Sequence, residues 1–102
     1  MKIFEDRKLT KEIKLIHFGE VKAGSSKEKT VYLLNDSNAI LRKLKFHFPN
    51  AKKEKIKVVL APVKLKFNES GKVILKWSPS LNFKRALNVE MKVEGEEVYL
   101  AR

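Results

Sequence analysis

Hydrophobic and polar residues alternate along most of this chain. Leu44, Phe46 and Phe48 are separated by Lys45 and His47. Ile56, Val58 and Leu60 alternate with Lys55, Lys57 and Val59, and Val63, Leu65 and Phe67 with Lys64 and Lys66. Val73, Leu75 and Trp77 alternate with Lys72, Ile74 and Lys76. Leu87, Val89, Met91 and Val93 alternate with Asn88, Glu90 and Lys92. Successive side chains of a strand point to opposite faces, so a period of two predicts half-buried strands with one face on a core and one in water. No window sustains the helical i, i+3, i+4, i+7 spacing for more than a turn or two. The best helical candidate is the patch Asn38–Lys43.

Turn residues bound the apolar runs: Gly19 to Ser26, Asn35-Asp36-Ser37-Asn38, Pro49-Asn50, Pro62, Asn68-Glu69-Ser70-Gly71, Ser78-Pro79-Ser80 and Glu94-Gly95-Glu96. The last predicts a hairpin joining Leu87–Val93 to Val98–Leu100. Seven or eight strands at roughly ten-residue spacing are the pattern of an all-β sandwich. Proline cannot donate to a ladder, so Pro62 marks an edge crossing or corner. Residues 1–10 read as an N-terminal arm, or Ile3-Phe4 as an extra edge strand, ahead of one sandwich domain over 11–102.

The stretch IHFGEVKAGSSKEKTVYLLN suits such a fold. Phe18 plugs the core at the end of a strand, and Gly19 and Gly24 bend the chain where φ can turn positive. Val21 touches the core edge between them. Val31 and Leu33 share one face of the next strand, Tyr32 and Leu34 the other. Asn35 stops that strand by turning back on its own backbone. The segment FGEVKAGSSKEKTVYLLN resembles the opening motif of the immunoglobulin-like ASH domains, relatives of the major sperm protein fold. APVKLKFNESGKVILKWSPS is similar to that family's second signature, an apolar segment, a polar turn and a strand ending in aromatic-x-Pro, here Trp77, Ser78 and Pro79. The sequence departs from the family at Asn68–Gly71, where Pro-Gly is common, and at Asn82–Arg85, which lacks the usual Gly. The resemblance spans Ile13 to Leu100. It implies an immunoglobulin-like antiparallel β-sandwich of seven or eight strands and non-enzymatic work, as a docking or building module. It also brings to mind the small immunoglobulin-like domains of phage virions, which makes a microbial or virion structural component an expectation.

The 102 residues include no Cys, which removes disulfides, thiolate metal sites and Cys nucleophiles. The N-terminus mixes both charge signs without an apolar stretch, so no signal peptide is legible. A cytoplasmic or virion-associated protein is expected, and Asn35 and Asn68, each in an N-x-S triplet, read as turns. Abundant Lys and Glu with no Gln lean toward a heat-adapted source, against which stand six Asn.

Charge is the one lead toward a partner. The net charge is +11, and the segment Arg42–Arg85 holds 13 basic residues against two acidic ones, so the whole excess lies there. Alternation sends Lys43, Lys45, Lys55, Lys57, Lys64, Lys66, Lys72 and Lys76 away from the core. If their strands share a sheet, they form a positive face for an acidic protein, nucleic acid or an anionic lipid surface. The plainer reading is a solvated face that keeps the protein soluble and its edges from pairing. Phe46, Phe48, Phe67 and Trp77 fall on the opposite side, where they cannot stack on bases. Lys outnumbers Arg 11 to 2 in the segment, and base-edge readout favours Arg.

Candidate chemistry is sparse. Neither His17 nor His47 has a carboxylate or second histidine at ligand spacing. The six serines sit in turn-like contexts, with no nucleophile elbow. Glu94, Glu96 and Glu97 cluster in the expected hairpin, as a solvated turn rather than a cation site. No catalytic, cofactor or metal residues are nominated. The expected function is a non-catalytic module for protein–protein interaction or self-assembly, by strand addition at a sheet edge or by packing of a face. The alternative is non-specific, electrostatic nucleic-acid binding by the lysine face.

Overall fold

The computed structural model describes residues 1–19, 21–22, 24–51, 54–79 and 87–99. These form nine strands and no helix: β1 (Lys2–Phe4), β2 (Ile16–Gly19), β3 (Lys27–Leu34), β4 (Ile40–His47), β5 (Lys55–Leu60), β6 (Lys64–Leu65), β7 (Ser70–Ser78), β8 (Leu87–Val89) and β9 (Lys92–Val98). β1 is the edge strand expected as one option at Ile3-Phe4, and β6 is the two-residue centre of the alternating run Val63–Phe67. All pairings are antiparallel. They make a four-stranded sheet in the order β1-β3-β7-β5, a three-stranded sheet β6-β4-β9 and a two-stranded sheet β2-β8.

The three sheets enclose one interior. Val31 and Leu33 of β3 and Val73, Leu75 and Trp77 of β7 are fully buried. They cluster with Ile16, Phe18, Leu65, Leu87, Val89 and Met91. Leu44, Phe46, Phe48, Ile56, Val58 and Val93 pack against this cluster while half-buried. Phe18 meets Trp77 edge to face, with ring centroids 5.8 Å apart, a favoured quadrupole arrangement. The Trp77 indole N–H, fully enclosed, donates to Glu54 Oε2 at 3.1 Å, so its polar handle is satisfied.

The bends of the opening motif are where the residue types require them. Gly19 and Gly24 have φ of 71° and 83°, a region that costs a residue with a Cβ. Asn35 is fully buried. Its Nδ2 donates to the carbonyls of Ala39 (2.8 Å) and Leu65 (3.0 Å), while its Oδ1 accepts from the N–H (3.1 Å) and hydroxyl (2.6 Å) of Ser37. Its backbone is tied to the β6–β7 turn, through Glu69 O and Asn68 N. Asn35 therefore ends β3 as expected and also fastens two turns together.

Four expectations are corrected. The helical patch Asn38–Lys43 leads into β4, because pairing with β6 and β9 outweighs the local pattern. The hairpin at Glu94-Gly95-Glu96 does not form. β9 runs straight through Gly95, and the break falls at Glu90-Met91. A Cβ on Gly95 would sit 2.8 Å from Leu44 Cδ2, so this glycine serves close approach rather than turning. Val63 and Phe67 do not join Leu65 in the core. They are 84% and 49% exposed, because Val63 lies in the crossover that Pro62 marks and Phe67 in the turn after the two-residue β6. A bulge between Val58 and Leu60 likewise turns Leu60 outward. Ser80, Asn82–Arg85 and Leu100, each part of an expected turn, motif or strand, lie outside the described residues.

Candidate functional site

All eight candidate lysines are exposed, but they do not form one face. Lys55 and Lys57 lie on β5, and Lys72 and Lys76 on β7, of the four-stranded sheet. Lys43 and Lys45 lie on β4 and Lys64 on β6 of the three-stranded sheet, and Lys66 follows β6. The condition for a single positive surface, that the strands share a sheet, is not met. The turn from β4 to β5 carries the chain from one sheet to the other, and alternation within a strand cannot reveal that.

The two groups differ electrostatically. On the three-stranded sheet the basic residues of β4 have acids across from them on β9, Arg42 opposite Glu96 and Lys45 opposite Glu94, while on the other side Arg42 is opposite Lys64 of β6. Arg42 Nη2 reaches Glu96 Oε1 at 2.6 Å, Lys43 Nζ reaches Glu96 Oε2 at 3.4 Å, and His47 Nε2 lies 3.2 Å from Glu94 Oε2. Hydrogen bonds from Arg42, then Lys43, hold the Glu96 carboxyl below the usual glutamate range. Strand register thus brings a carboxylate to His47 and cations to the Glu cluster, neither visible in linear spacing. Lys43 itself sits at a bulge with φ 53°.

On the four-stranded sheet Lys29 reaches Glu5 Oε1 at 3.4 Å, but the outer strand β5 has fewer acids beside it. Lys76 lies between Glu28 of β3 on one side and Lys57 of β5 on the other, and like charges directly opposite are destabilising. Lys72 is opposite Tyr32, and Lys55 opposite Ser78. Among the described residues none of Lys55, Lys57, Lys72 and Lys76 makes an ion pair. β5 closes this sheet as an edge strand, hydrogen-bonded to β7 on one side and to no other described strand. A shallow depression of about 410 Å³ runs along it, lined by Lys55, Ile56, Lys57, Val59 and Lys76 among others. A second, of about 530 Å³, opens between the ends of β4 and β5 over Phe46, Phe48, Ala51 and Ile56. Val59 and Leu60 add exposed apolar surface at the end of the strand. The sequence pattern marks the lysines and the outward Val59 but not the outward Leu60; Pro62, read as an edge crossing or corner, is the signal that points to the edge position.

Among the described residues no group of three or more His, Cys, Asp or Glu side chains is placed to hold a metal ion, and no helix is long and apolar enough to cross a membrane. His17 hydrogen-bonds Asn88 across the β2–β8 ladder. No protein-family model, no curated protein and no solved structure gives a significant match to this chain.

Proposed function

We propose that this protein is a non-catalytic, immunoglobulin-like module for protein–protein interaction or assembly, and that it engages its partner through the basic edge strand β5. The observation that carries this reading is the combination at β5: an unpaired ladder edge, exposed Val59 and Leu60, and two lysines that make no ion pair among the described residues. An open edge offers main-chain hydrogen bonds to an extended segment, and alternate side-chain pockets give such pairing its selectivity. Support for the immunoglobulin-like assignment comes from strand order. Taking β1, β3, β5 and β7 as strands A, B, D and E gives the A-B-E-D sheet of that fold, facing a sheet in which β4 takes the place of C. Support for the ASH and major sperm protein relationship comes from the motif residues, since Phe18, Gly19, Gly24 and Asn35 all hold structural positions.

Four lysines on one sheet also favour a second reading, non-specific binding of a nucleic-acid backbone. The two are separated by titrating labelled protein with an extended peptide of alternating glutamate and valine, and with an oligonucleotide, while following backbone amide resonances. The interaction reading expects the peptide to perturb the amides of β5 selectively. Oligonucleotide binding that persists at physiological salt, with no response to the peptide, would replace it.

A further inference from the structure

We infer that β5 of one copy of this chain pairs, antiparallel, with the free edge of β9 in a second copy, with Lys55 opposite Glu96 and Lys57 opposite Glu94. This rests on the interaction reading above and names the partner. β9 is the other long edge strand, hydrogen-bonded to β4 on one side and to no other described strand. The two edges have opposite charge. β5 presents Lys55 and Lys57, whereas β9 presents Glu94, Glu96 and Glu97 against the single Lys92, with Glu96 also held by Arg42 and Lys43 of β4.

Pairing like with like is opposed. Two β5 edges would set lysine rows together and two β9 edges glutamate rows, and like charges directly opposite destabilise a ladder. The unlike pairing matches at each position from Lys55 to Val58. With Lys55 across from Glu96, Lys57 falls across from Glu94, and both pairs lie on outward faces. Ile56 then meets Gly95 and Val58 meets Val93, and Ile56, Val58 and Val93 are residues that pack toward the core. Shifting the register by one residue would set the charges against the apolar positions. Glu94 is available for this role, because among the described residues only His47 engages it. The depression over Phe46, Phe48 and Ile56, also lined by His47 and Glu54, opens beside the start of β5. Because the two surfaces differ, each copy keeps one donor and one acceptor edge, so the contact is head to tail and builds rings or open chains rather than a two-fold dimer.

The test uses the full chain and two charge-reversed variants, Lys55→Glu with Lys57→Glu, and Glu94→Lys with Glu96→Lys. Sedimentation from micromolar to millimolar concentration should show the parent chain growing in mass, and each variant alone remaining monomeric. An equimolar mixture of the two should associate again, since each variant then supplies the edge the other needs. Because Glu96→Lys also removes the Arg42 contact, a second measurement does not depend on charge. Val58→Cys and Val93→Cys chains, mixed under oxidising conditions, should form the mixed disulfide in preference to either homodimer, and the parent chain has no other cysteine. A parent chain that stays monomeric throughout, reversal variants that associate like the parent, a mixture of folded variants that fails to associate, or cross-linking without preference would each overturn the inference. If self-association fails while the glutamate–valine peptide still perturbs β5, only the identity of the partner is wrong. If both fail, the interaction reading falls with it.

Discussion

On β3 and β7 of the four-stranded sheet Val31, Leu33, Val73, Leu75 and Trp77 are completely enclosed, whereas on β4 and β9 of the three-stranded sheet Leu44, Phe46 and Val93 are only half-buried; the short β6 adds the enclosed Leu65, and the edge strand β5 the half-buried Ile56 and Val58. The outer surfaces are also unlike. The looser sheet ties Arg42, Lys43 and His47 to β9 carboxylates, and on the tighter one Lys55, Lys57, Lys72 and Lys76 make no ion pair among the described residues, although Lys76 has Glu28 across from it. The contrast teaches that packing and charge pairing are divided between the sheets. Where burial supplies the stability, the surface can carry uncompensated charge. Where burial is thinner, cross-strand ion pairs accompany it.

The sharpest way to break this contrast is to truncate one aromatic on each side. Trp77→Ala removes the largest enclosed side chain and its contact with Phe18, and should cost about 3–5 kcal/mol in denaturant unfolding. Phe46→Ala, at a half-buried position, should cost roughly 1–2 kcal/mol. Equal costs would mean that the two sheets share the core evenly. Next in size is Asn35→Ala. It leaves the carbonyls of Ala39 and Leu65 without their donor in a closed site, at about 3 kcal/mol by the same assay. Ser37→Ala, which removes the hydroxyl that donates to Asn35 Oδ1 but leaves the Ser37 N–H donating to it, should cost less.

Gly95→Ala tests how closely the looser sheet is packed at its one tight point. The added methyl would lie 2.8 Å from Leu44 Cδ2 and 3.3 Å from the Arg42 carbonyl, and should destabilise by about 1–2 kcal/mol. The smallest expected effect is in pH. The Glu96 carboxyl is held below its ordinary value of 4.5 by Arg42 and Lys43. A depressed folded pKa means that the stabilisation is present above the unfolded value and is lost as pH falls through the lower, folded one. Carboxyl resonances followed by NMR should show Glu96 titrating below its ordinary value of 4.5, with the difference narrowing in high salt. Glu96→Gln should remove the corresponding acid-side slope in stability. Because the pair is exposed, that slope will be shallow.

Period two identified the longer strands of the four- and three-stranded sheets, because alternation is a local property and the core demands it. Turn chemistry, equally local, placed Gly19, Gly24 and Asn35, and Phe18 fills the core where its strand ends. Period two failed at Val63, Leu60 and Phe67, where a crossover, a bulge and a turn end the alternation within a residue or two. Turn chemistry failed at Gly95, whose neighbours resemble a turn but whose constraint is a leucine from another strand. For the candidate site, the exposure of the lysines was legible, since polar positions of an alternating run face water. Their partition between two sheets was not, because strand order depends on contacts between residues distant in sequence. For the same reason, the pairing of the Glu94–Glu97 cluster with Arg42, Lys43 and His47 emerges only from register.

Amide hydrogen exchange at residue resolution, run in dilute solution and again near millimolar concentration, tests the division between a closed sheet and two open, complementary edges most directly. The amides of β3 and β7 should exchange slowest at both concentrations, and the outward amides of β5 and β9 should exchange fast when dilute and slow together when concentrated. Edge amides of β5 that are fully protected in the dilute monomer, or β4 outlasting β3 and β7, would contradict it.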